Sequence, residues 1–137
     1  MGIFDKRSDQ EKLKSKQAKL TEKVEKEFSK AREVLSEAGF DHSEAQFALR
    51  AQPASLGAMT RSIWVLMNDR IVKVSSLPPA YSKEIYLVSE LESISVSSEL
   101  IPTVAIRHSG RYLTFKADSL PAQYLCGLVS EMINKKR

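Results

Sequence analysis

The hydrophobic period of this 137-residue chain changes twice, and those changes decide what it can fold into. From about Asp9 to Ala38 there is no Gly or Pro, and Leu13, Leu20, Val24, Phe28, Ala31, Leu35 and Ala38 recur at helical spacing. From Ser62 the apolar residues alternate, the period of a strand with one face buried. After Asp118 the helical period returns, with Leu125, Leu128, Val129, Met132 and Ile133 on one stripe. A long helix, a run of strands and a closing helix are expected, which is an α+β chain.

The first helix is rich in Lys, Glu, Gln, Ala and Leu, and Gly39 marks its stop. In heptad terms Val24, Ala31 and Ala38 take one core position and Phe28 and Leu35 the other, until Gln17 and Thr21 break the register. That is too short for a sustained coiled coil. The helix can dock on its own domain by this face, self-associate through Val24, Phe28, Ala31 and Leu35, or lie on a membrane. Docking is the preferred reading, and a polar face with nearly as much Glu as Lys argues against the membrane. The half that carries only Leu13 and Leu20 is expected to project into solvent or fray.

The strands come next. Ser43 with Gln46 fits a capping box for a helix over Glu44–Ala51, but Phe47–Ala51 reads equally as a first strand. Pro53 to Gly57 reads as a loop. Ser62–Met67 and Arg70–Ser76 flank Asn68-Asp69 and predict a tight hairpin, with Ile63, Val65 and Met67 on one face and Trp64 and Leu66 on the other. Pro78-Pro79 interrupts the chain. Glu84–Val88, Leu91–Ser97, Thr103–Arg107 and Arg111–Lys116 follow as strands, the last two around a turn at His108-Ser109-Gly110. In the final helix Asp118 or Ser119 can cap, Pro121 sits in the first turn, and Gly127 is expected to mark a close approach to a strand.

This order resembles that of pleckstrin-homology-like (PH-like) domains, and in detail the bacterial, YokE-like kind. The residues that carry the resemblance are the hairpin Trp64-Val65-Leu66-Met67-Asn68-Asp69-Arg70-Ile71-Val72 and the segment from Ile85 to Ile94. The Gly110 turn and the final helix complete it. Met67 stands where the family commonly has Thr. The resemblance covers roughly residues 45–134. It implies a bent antiparallel β-barrel of about seven strands closed by the C-terminal helix, with residues 1–40 as a separate charged helix in front. It also favours the strand reading of Phe47–Ala51.

Enzymatic chemistry is not expected. The two histidines, His42 and His108, have no His or Cys companion at metal spacing, so no metal site and no cofactor are read, and His108 is taken for a solvated turn residue. Cys126, the single cysteine, is expected to be a buried structural thiol. No apolar run approaches the roughly 18 residues of a membrane span, and the first residues lack a signal-peptide core, so a cytoplasmic location is expected. The net charge of +4 is spread: residues 1–38 hold ten Lys/Arg against eight Asp/Glu, and residues 39–137 hold eleven against nine. That spread argues against nucleic acid.

Phosphoinositide-binding PH domains converge several cations on the first two strands and their loop. Here Leu49 to Ile63 offers only Arg50 and Arg61, and Arg70, after the hairpin turn, reads as solvated or cross-strand paired. The expectation is a non-catalytic interaction module that acts through protein contacts and self-assembles. The alternatives are a peripheral membrane protein that uses the basic first helix and a weak nucleic-acid binder. Candidate contact residues are Val24, Phe28, Ala31, Leu35, Arg50, Arg61 and Arg70. Ile85–Val88 and Thr103–Ile106 can serve as sheet edges, although core strands are the preferred reading for both.

Overall fold

The computed structural model describes residues 22–53, 61–77 and 80–135. The expected helix before residue 22, with Leu13 and Leu20, lies outside the described residues, as do most of the Pro53–Gly57 loop, Pro78-Pro79 and the end of the basic tail. A helix over 22–37 (α1) leads into seven strands and a final helix. The strands are β1 (Phe47–Pro53), β2 (Ser62–Leu66), β3 (Arg70–Leu77), β4 (Ala80–Leu87), β5 (Leu91–Val96), β6 (Thr103–His108) and β7 (Arg111–Lys116), and the helix is α2 (Ser119–Lys135). A short 3₁₀ turn, Val88–Glu90, joins β4 to β5. The fold is α+β, with one seven-stranded antiparallel sheet of order β4-β3-β2-β1-β7-β6-β5.

Local chemistry explains the turns. At the end of α1, Phe40 N–H donates to the Leu35 carbonyl (2.9 Å) and Gly39 N–H to that of Ser36 (3.1 Å), with Gly39 at φ +78°. This is a Schellman cap, in which only glycine enters the left-handed region without strain, and Phe40 packs in one cluster with Leu35. Between β6 and β7 the two-residue loop Ser109-Gly110 has positive φ at both positions, +49° and +77°, the signature of a type I′ hairpin turn. His108 is therefore the last residue of β6, paired with Arg111, and does not sit in the turn.

Two apolar clusters lie on opposite faces of the sheet. On the inner face Phe47, Leu49, Trp64, Leu66, Ile71, Val104, Ile106 and Phe115 pack with Ala122, Leu125, Val129 and Ile133 of α2. On the outer face Ala31 and Leu35 of α1, with Phe40, cover Ala48, Ile63, Val65, Met67, Val72 and Val74. Every residue of β2 is consequently buried, and the hairpin faces are as the alternation implies. The helix is thus docked by its apolar stripe.

The sheet curls strongly. Trp64 stacks on Phe115 of β7 (4.4 Å between centroids) and on Tyr86 of β4 (6.0 Å). Tyr86 in turn meets His108 of β6 edge-on at 5.3 Å, although β4 and β6 lie near opposite ends of the strand order. Among the described residues no hydrogen-bonded pairing of β4 with β5 closes the sheet.

Two expectations need correction here. Gly127 is exposed, and a Cβ there would meet nothing within 4 Å, so no strand approaches it. Cys126 is half-buried, because it flanks the α2 stripe and is not part of it.

Candidate interaction surface

The structure separates the seven candidate residues into three places. Val24, Ala31 and Leu35 are buried in this chain's own core, and Phe28 is half-buried against Phe47 (5.6 Å), with the Arg32 guanidinium 5.4 Å from its ring. While α1 is docked, these side chains are not a free surface. Arg70 stands apart at the β2–β3 hairpin, with its Nε 3.7 Å from Asp69.

Arg50 and Arg61 are brought together. Arg50 leaves the outer face of β1 toward α1, where its Nε donates to Glu27 Oε2 (2.8 Å) and its Nη2 to Glu27 Oε1 (3.1 Å). The bond to Glu27, against some desolvation, holds the guanidinium more firmly charged than in water. Both arginines line a cleft of about 430 Å³ between α1, the start of β2 and the link from β7 to α2. A second groove of about 370 Å³ shares Glu27, Arg50 and Asp118 and continues along α1 past Lys23, Lys26 and Lys30 to the start of α2.

These lysines are not among the candidate contact residues read from the sequence, yet a signal is present. They recur at i, i+3 and i+7, which puts them on one side of a helix. Lys116, at the end of β7, completes the cationic lining.

The remaining titratable groups are local. His42 Nε2 and Ser36 Oγ are 2.8 Å apart. Asp41 accepts from the Ser43 backbone N–H (3.0 Å), and this turn lowers its pKa. The solvated reading of His108 is corrected: its side chain is 13% exposed, tucked beside Tyr86 with Nε2 3.4 Å from Glu90. Among the described residues no group of three or more His, Cys, Asp or Glu is placed to hold a metal ion, and no helix is long and apolar enough to cross a membrane.

The two strand runs proposed as edges also separate. Thr103–Ile106 lies in β6 between β5 and β7 and is interior, whereas Ile85 and Leu87 lie on β4, which ends the sheet. They are 48% and 46% exposed, so the core reading fails for Ile85 and Leu87, whereas Tyr86 and Val88 of the same run pack against the inner cluster. No protein-family model matches this chain, and no curated protein matches it.

Proposed function

We propose that the chain is a non-catalytic, PH-like interaction module that works through protein contacts and self-assembles by its β4 edge. The observation that carries this reading is β4 itself. It is eight residues long and ends the sheet, and among the described residues no strand pairs its outer edge. Such an edge offers a row of backbone donors and acceptors to another strand. Ile85 and Leu87 add half-exposed apolar area on one side of it. Lys83 and Glu84 leave the strand without net charge, so a second copy meets no overall repulsion. The other end of the sheet is less open, because α2 packs against β5.

The PH-like assignment is supported by the order of seven antiparallel strands and one terminal helix, and by the curl that joins Tyr86 to His108. Docking of α1 on the outer face makes it part of the same unit, and its buried stripe argues against assembly through that helix.

Light scattering over a concentration series tests the proposal. The full chain should form a dimer that dissociates on dilution, and Ile85→Lys should be monomeric at the same concentrations. A full chain that stays monomeric throughout would rule out self-assembly.

A further inference from the structure

We infer that the double groove beside α1 is a docking site for an acidic segment of a partner protein. This rests on the reading of the chain as a module that works through protein contacts, and it uses a different surface from β4. Lys23, Lys26, Lys30, Arg50, Arg61 and Lys116 line the two grooves, and among the described residues the acidic ones with them are Glu27 and Asp118. Six cations against two anions leave a local excess of four, and the whole chain has a net charge of +4. The described residues as a whole hold 13 Lys/Arg against 14 Asp/Glu, so positive charge is concentrated at the grooves and is not a general property of the described surface. Glu99, 3.7 Å from Lys116 but outside the lining, lowers the excess to three.

Glu27 does not compete for a ligand, because both its carboxylate oxygens accept from Arg50. Lys23, Lys26, Lys30 and Arg61 are all exposed, and among the described residues no acidic side chain forms an ion pair with them. A concave, cation-lined site of this kind concentrates field and attracts an anionic partner.

The shape selects among anionic partners. Among the described residues no aromatic side chain lines either groove, whereas single-stranded nucleic acid is gripped by stacking its bases on such rings. Arg50 and Lys116 line a cleft, and a flat bilayer reaches the rim of a cleft before its walls. Ile63, Val34 and the half-exposed Ile101 give the same cleft an apolar side. Carboxylates flanking an apolar residue on an extended chain match both features, and the volume of about 430 Å³ suits one such side chain with its neighbours.

The test is a fluorescence-anisotropy titration of the full chain with a labelled peptide of Glu and Asp carrying one Leu. Parallel arms use an oligothymidylate of equal charge and phosphatidylserine vesicles. The peptide should bind, more weakly as salt rises, and Lys26→Glu and Arg61→Glu should each weaken it by at least about fivefold. Lys135→Glu, at the far end of α2, should leave it unchanged, and Ile85→Lys should also leave it unchanged. Absence of peptide binding at low salt would overturn the inference. So would equal sensitivity to Lys135→Glu, or tighter binding of the oligonucleotide or the vesicles with the same dependence on Lys26 and Arg61. A chain that still dimerises through β4 but takes no peptide would end the groove proposal alone.

Discussion

Arg50 and Glu27 clasp each other across the joint between α1 and β1, with two hydrogen bonds of 2.8 and 3.1 Å. The glutamate side chain is 8% exposed and the arginine 47%. The pair is therefore asymmetric, since removing the arginine strands a nearly buried carboxylate. Arg50→Ala should destabilise the fold by about 1–3 kcal/mol, read by urea denaturation. The double replacement Glu27→Leu with Arg50→Met should recover most of that loss, because no charge is then left buried. A neutral Arg50→Ala would show that the clasp does not hold α1.

The outer cluster makes a stronger statement about the same helix. Leu35 is fully buried between α1 and the sheet. Leu35→Ala should cost about 2–5 kcal/mol, the range for a leucine cavity in a core. A cost well under 1 kcal/mol would mean that α1 is not part of the folded unit.

Gly127 gives an opposite expectation. It sits in the middle of α2, exposed, with open space where a Cβ would go. Gly127→Ala should raise stability by about 0.5–1 kcal/mol through helix propensity alone. Thermal unfolding measures it, and a lower melting temperature would contradict the packing described.

Tyr86 sets a limit at high pH. Burial, with the hydrogen bond its hydroxyl donates to Glu84, raises its pKa well above the ordinary value of 10. The folded state thus holds the phenol proton more tightly than the unfolded chain does. That contribution is fully present below pH 10 and is lost as pH rises above it, through the folded-state pKa. Stability should fall on the alkaline side, and Tyr86→Phe should flatten that fall. An identical alkaline profile for the variant would remove Tyr86 as its cause.

Much of the fold was legible because period and turn chemistry agreed. The alternation of Ile63, Val65 and Met67 against Trp64 and Leu66 gave β2 its two faces, and Gly39 and Gly110 stood where positive φ was needed. What escaped were relations set by distance in space. The period of β4 says nothing about whether a further strand lies beside it, so Ile85 and Leu87 read as core. His108 looked like a turn residue until Tyr86 and Glu90 arrived from other elements. Gly127 suggested close packing, yet nothing faces it. Arg50 and Arg61 were visible as cations, but their gathering with the lysines of α1 depends on how that helix docks.

Amide hydrogen exchange of the full chain, measured dilute and concentrated, tests the central claim most directly. If copies pair through their open edges, the amides of β4 gain protection as concentration rises while those of β5, against α2, do not. Exchange in β4 that is independent of concentration would contradict the account.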